Sequence, residues 1–224
     1  MWFDDDDIMH PELLKKQLKS IQEHHASISV CKAYTFKDSL EFPEVKPGLL
    51  ISENPFDDFV ALQIIVPICC GLFERSLLEK APYLYDTELQ AAQEWEFFSR
   101  LFYISSSYAV VEDPLVYIRQ HQHNISNRNE KLIRWNYFLA RFKMYTNSRI
   151  TLNLDTQNYL HVFMMKEFKK MVRNRYTKIA LKAYWLFVLP KSKISLFSKI
   201  NAFIAILSFS LFRKGTYFFR NIEF

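Results

Sequence analysis

Met1-Trp2-Phe3-Asp4-Asp5-Asp6-Asp7-Ile8 sets two bulky aromatic side chains directly before a run of carboxylates. Like charges side by side repel, so a fold accommodates them only where water or a cation neutralises them. Trp2 and Phe3 read as the end of a buried strand, which puts the aspartates at the strand's exit. Carboxylate oxygens are hard ligands, and an all-oxygen set favours magnesium or manganese over zinc. The same run also fits a solvated acidic tail. Working outward, His10-Pro11-Glu12 gives proline and an acid at a helix start, and Leu13-Leu14-Lys15-Lys16-Gln17-Leu18 continues at helical spacing. The order is strand, acidic turn, helix.

With that order in place, the segment resembles the family 2 glycosyltransferases. Their members carry an Asp-x-Asp turn, then Asp-Ile, two residues and proline leading into such a helix. Asp4-Asp5-Asp6 fills the turn, Asp7-Ile8 follows, and Pro11 falls in place. A second block is Cys70-Gly71-Leu72-Phe73-Glu74-Arg75, then Tyr85-Asp86-Thr87-Glu88-Leu89, then Gln93-Glu94-Trp95-Glu96 running to Arg100-Leu101. It is similar to the family's strand, its turn, and its acidic pair opening a helix that closes in Arg-Leu. A third, Tyr117-Ile118-Arg119-Gln120-His121 through Ser126, resembles the family's Tyr-x-Arg-x-His strand exit. The resemblance covers residues 1 to 130.

It implies a GT-A-like α/β fold and inverting transfer of a sugar from a nucleotide-sugar donor to a glycan or lipid-linked acceptor. Asp4 and Asp6 would hold the donor diphosphate and its divalent ion (Mn2+ or Mg2+), with Asp7 supporting them. Glu94 matches the general base, although Gln93-Glu94 stands where many relatives have Glu-Asp, and Glu96 is the rival. Neighbours two apart on a helix face different ways, so one of the two enters the site. Either acid also suits a helix N-terminus for its dipole alone. His121 matches the histidine beside the diphosphate and the ion, with His123 two residues on; Arg119 would contact donor phosphate or pair with a carboxylate such as Glu112. Trp95 would face the acceptor sugar or belong to the core.

Family members begin with a nucleotide-binding half before the acidic turn. The expectation is therefore a fragment, a truncated gene product or one half of a split enzyme, with the missing N-terminal half as a partner.

The remaining signals bound the class. The chain has 224 residues, is 50% hydrophobic and 17% aromatic, and has only 3 glycines, which excludes disorder and allows a sizeable core. Cys31, Cys69 and Cys70 lack zinc-ligand spacing and read as buried thiols in a reducing compartment, so a cytoplasmic location is expected. Charge is split: residues 1–133 carry net −9 and residues 134–224 net +14.

Ile28–Phe36 reads as a strand, 37–54 as a loop, Ile64–Phe73 as β-rich with an edge or a break at Pro67, and Glu94–Ser105 as a helix. Tyr108–Val111 and Leu115–Arg119 read as two strands around Asp113-Pro114. From Asn127 the pattern is helical.

The expected organisation is a partial GT-A-like mixed sheet with flanking helices over 1–130 and an all-helical, basic, amphipathic extension over 131–224. In that extension Lys166 to Lys182 alternates cations with apolar residues, and Leu196–Phe212 is too short and too interrupted for a comfortable membrane span. It suits a helix lying at a membrane's inner face, or one covering the core. A second reading of the whole chain is a non-catalytic module that binds a membrane or an anionic polymer through these helices. Nucleic acid is not expected, since neither an RNP motif nor a glycine clamp loop is present.

Overall fold

The computed structural model describes residues 1–224 except 38, 42, 47, 49, 121–128, 216 and 219–224. Two compact units emerge: residues 1–86 with 94–128, and residues 87–93 with 129–224.

In the first unit, a short strand β1 (Ile8–Met9) leads to helix α1 (Leu13–His24) and strand β2 (Ile28–Phe36). The His10 ring accepts the Glu12 N–H at 3.1 Å, occupying a donor at the helix start. Leu13, Gln17, Ser20 and Ile21 form the buried stripe of α1. Gln17 donates to the carbonyls of Ser29 (3.2 Å) and Cys70 (2.8 Å), which pins the helix across two chain segments. Strand β3 (Glu44–Val45), helix α2 (Pro55–Val60), a 3₁₀ turn (Ile68–Cys70), strand β4 (Gly71–Phe73), helix α3 (Arg75–Lys80), helix α4 (Gln93–Ile104) and strand β5 (Tyr108–Arg119) complete the unit.

The described strands form one mixed sheet ordered β1-β5-β2-β3, with β4 also on β2. β5 runs parallel to β2, and the other pairings are antiparallel.

β5 is one strand where two were expected around Asp113-Pro114. Its register against β2 shifts at Cys31–Ala33, with Lys32 opposite Pro114. Proline cannot donate to the ladder, and a bulge absorbs the misfit without ending the strand. The bulge lifts Glu112 to Lys32 and Asp113 to Lys16 (2.7 Å). Of the β-rich stretch Ile64–Phe73 only Gly71–Phe73 is a strand element; Pro67 stands directly before the 3₁₀ turn.

Trp2 and Phe3 are not in a strand. Trp2 is held by edge-on packing against Phe73, Tyr85 and Phe97 (5.9, 5.9 and 5.0 Å between centroids), so Trp2 and Phe3 reach the acidic turn through ring packing, not as the expected strand end, and the turn leads into β1. The core centres on α4, whose Phe97, Phe98, Leu101 and Phe102 are buried. A Cβ on Gly71 would lie 2.6 Å from Phe73 Cζ and 3.0 Å from Phe98 Cζ, so glycine is what lets the rings close over β4. The three thiols are free and buried, and Cys70 is pushed up by hydrogen bonds with Cys31 and Cys69 and by burial.

The second unit contains α5 (Glu130–Thr146), α6 (Leu154–Arg173), α7 (Thr177–Ala183), a π-helical turn (Tyr184–Val188) and α8 (Leu196–Phe212). Asn129, Asn153 and Ser195 cap α5, α6 and α8 by accepting from N–H groups of the first turns. Its core joins Phe138, Met164, Met165, Phe168, Phe187 and Ile206. The loop 87–93 is tied to α5 by Asn136 Oδ1, which accepts the Gln90 N–H at 2.7 Å, and by Lys143 on Glu88 at 2.6 Å.

Candidate functional site

The acidic turn is fixed from both ends. The Asp7 N–H reaches the Asp4 carbonyl at 3.4 Å. Asp7 Oδ1 accepts the Arg119 N–H at 3.0 Å, and Arg119 Nε donates to the Asp6 carbonyl at 3.1 Å. β1 continues the attachment, with Ile8 opposite Tyr117. The guanidinium of Arg119 lies 4.6 Å above the Phe36 ring. Arg119 thus positions the aspartates, whereas Glu112, its alternative partner from sequence, pairs with Lys32.

Asp4 and Asp5 are left exposed by these anchors. The Asp4 carboxyl is held above the usual 3.8, first by loss of hydration and then by the negative charges of Asp7, Asp6, Glu94 and Asp5. Glu94, on the first turn of α4, is therefore an electrostatic neighbour of the acidic turn although it stands 90 positions from Asp4 in the sequence. Tyr85 belongs to the same neighbourhood: burial, Glu94 and Asp4 push its phenol up to about 12. Its ring meets Phe97 at 5.0 Å and Trp2 at 5.9 Å.

Glu96 is separated from Glu94 by its partners. Glu96 and Arg100 are each 5% exposed and pair at 2.6 Å. Arg100 also donates to the carbonyls of Tyr83 (2.7 Å) and Leu84 (2.6 Å), and the Tyr83 hydroxyl donates to Glu96 at 3.0 Å. A guanidinium so engaged leaves Glu96 no proton-accepting role at a solvent-facing site, and the network instead anchors the segment that delivers Tyr85. Trp95, 7% exposed, lies in the core and offers a sugar little surface. The aromatic ring beside Glu94 is that of Tyr85. Sequence reading passed over it because its value comes from a loop whose position is set by Arg100, sixteen residues from Leu84 along the chain.

His121 and His123, with the rest of the third block through Ser126, lie outside the described residues. Among the described residues no group of three or more His, Cys, Asp and Glu is arranged to hold a metal ion. The donor chemistry still fits a hard divalent cation that takes part of its shell from a ligand: magnesium-type ions commonly use one or two carboxylates plus substrate phosphates.

No protein-family model matches the chain, and no curated protein matches it. Solved structures do. S. aureus TarS 1–349 in complex with UDP-GlcNAc is 11% identical with a TM-score of 0.52, covering 94% of this chain and 64% of that one. TarS 1–349 in complex with UDP is 13% identical with a TM-score of 0.46, covering 92% and 55%. The chain shares its fold with TarS: a mixed sheet flanked by helices, of GT-A-like form. It spans just under two thirds of the length of the first of these structures.

Proposed function

We propose that the chain carries the diphosphate and acceptor side of an inverting, family 2-like glycosyltransferase that uses a nucleotide-sugar donor. The observation that carries this is the acidic turn Asp4–Asp7, held on β5 by Arg119, with Glu94 near enough that its charge, after burial and the charges of Asp7 and Asp6, adds to the rise of the Asp4 carboxyl, in a chain with a glycosyltransferase fold. A cluster of carboxylates attracts a cation.

In this reading Asp4 and Asp6 hold a divalent ion, manganese or magnesium, together with the donor diphosphate. When bound, the ion supplies positive charge to the departing nucleoside diphosphate. Glu94, exposed at the start of α4, takes the proton of an acceptor hydroxyl while that oxygen forms its bond to the anomeric carbon and the bond to the diphosphate breaks. Arg119 keeps the turn on β5, and Tyr85 lines the approach to Glu94.

The experiment is thermal unfolding with Mn2+ and UDP-GlcNAc, the nucleotide sugar found with TarS. Ligand at a hundred times its dissociation constant stabilises by about 2.7 kcal/mol. Wild type should shift upward with both additives together, and Asp4→Asn and Asp6→Asn should lose most of the shift. Equal shifts in wild type and variants overturn the assignment of the turn.

A further inference from the structure

One face of α8 has no partner among the described residues. Leu196, Ile200, Ile204, Leu207 and Leu211 are all exposed, Leu196 and Leu211 to 70%. Their spacing of four, four, three and four puts them on a single helical face. The opposite face, with Ala202, Ala205, Ile206 and Phe209, is buried against α6, α7 and the π-helical turn. Trp185, 58% exposed, extends the apolar surface at one side, its ring 6.4 Å from that of Phe203. A helix apolar on both faces has one face more than its own fold needs.

The charges around this face have one sign. Every charged side chain from Thr177 through Lys214 is a lysine or arginine. Lys191 and Lys193 precede the helix, Lys199 is in its first turn, and Arg213 and Lys214 follow its end. Arg175 joins them from α7's approach, donating to the Ser210 carbonyl at 3.3 Å.

That rim selects the occupant. A second copy packed face to face would bring these cations against themselves, which costs affinity. An anionic lipid surface offers hydrocarbon to the stripe and phosphate to the rim together. The helix is short for a span: seventeen residues extend about 26 Å against a hydrocarbon core of about 30 Å. No described helix is long and apolar enough to cross a membrane.

We propose that this face of α8, with Trp185 at its side, docks the chain flat on an anionic lipid bilayer. Leucines enter the acyl boundary while Lys193, Lys199, Arg213 and Lys214 meet headgroup phosphates. The proposal uses residues of the second unit alone and stands or falls apart from the sugar-transfer reading.

The test is co-sedimentation with phosphatidylcholine vesicles, with and without phosphatidylglycerol, followed in parallel by Trp185 emission. Wild type should bind the anionic vesicles, bind the neutral ones far less, and be partly released by salt. Leu207→Asp/Leu211→Asp, on the solvent side of the helix, should lower vesicle affinity at least about tenfold, and Lys193→Glu/Arg213→Glu should abolish the preference for anionic lipid. A blue shift of emission on binding that is lost in Trp185→Phe would place the face in the bilayer without relying on the charged variants. Absence of binding to anionic vesicles overturns the proposal. So do unchanged binding by Leu207→Asp/Leu211→Asp, resistance to alkaline carbonate extraction, and self-association abolished by that double variant without vesicle binding.

Discussion

Each unit buries a glutamate, and the two are put to different use. Glu96 of the first unit pairs with Arg100, whose remaining donors go to the carbonyls of a loop, Tyr83 and Leu84. Glu167 of the second unit is 3% exposed at its side chain and takes Arg134 at 3.2 Å and Lys170 at 2.8 Å, both on helices. Arg134 in turn reaches Glu130, which also accepts from Asn174 and Tyr176. The first network ends at irregular backbone beside exposed carboxylates, while the second closes helix upon helix. Buried charge thus positions the candidate site in one unit and fixes a scaffold in the other.

The sharpest division should come from α4. Glu94→Gln keeps shape and removes the proton acceptor, so sugar transfer should fall by about 10²- to 10⁴-fold with thermal stability nearly unchanged. A mild loss would move the base elsewhere and leave Glu94 as an acid serving only the helix dipole.

Glu96→Gln should do the opposite. Leaving Arg100 buried without its counter-ion costs about 3–5 kcal/mol, seen as a lower denaturation midpoint. Because the same network carries Tyr83 and Leu84, the response to Mn2+ and UDP-GlcNAc should weaken as well. Unfolding in urea with and without the ligands separates the two effects.

Gly71→Ala addresses the core beneath that site. The added methyl must displace the Phe73 and Phe98 rings, at about 1–3 kcal/mol for overpacking. Glu167→Gln should cost a similar amount: its two cations, Arg134 and Lys170, are 25% and 47% exposed and can turn to water. The comparison breaks if Glu167→Gln alters the nucleotide-sugar response as strongly as Glu96→Gln does.

These variants also mark how much was legible beforehand. The strand Ile28–Phe36 and the helix Leu196–Phe212 match their expected ends, because period and capping are local. Glu94 opening a helix was equally legible. Its meeting with the acidic turn came only from the resemblance, since the crossover between them carries no periodic trace of its destination. Trp2 was misassigned to a strand because an aromatic pair before a turn has the same pattern whether it pairs along its backbone or packs by its rings. Arg100 was legible only as the Arg-Leu end of the helix, not as the partner of Glu96: an i, i+4 Glu-Arg pair on a helix is ordinarily a surface pair. Only the burial of α4 turns it into an anchor.

The smallest effect should appear with pH, in the second unit. His161 Nε2 accepts the Lys193 N–H at 3.0 Å, its ring lies 5.4 Å from that of Phe187, and Lys193 Nζ is turned to Asn158 Oδ1 at 2.9 Å. Burial, and then the Lys193 charge, hold the imidazole below its usual 6.5, so the folded state keeps it neutral. Between the lowered value and 6.5 the unfolded chain binds the proton that the folded chain refuses, and stability must fall as pH falls through that interval. Above 6.5 the contribution is complete. Protonation would also replace the acceptor facing the Lys193 N–H with a donor, loosening the turn that leads into α8. His161→Ala should cost about 1 kcal/mol at neutral pH through the lost hydrogen bond and flatten the acid slope. Chemical denaturation across that range, read by a probe in the second unit, checks both. A slope that survives His161→Ala would assign it to another group and leave the approach to α8 insensitive to pH.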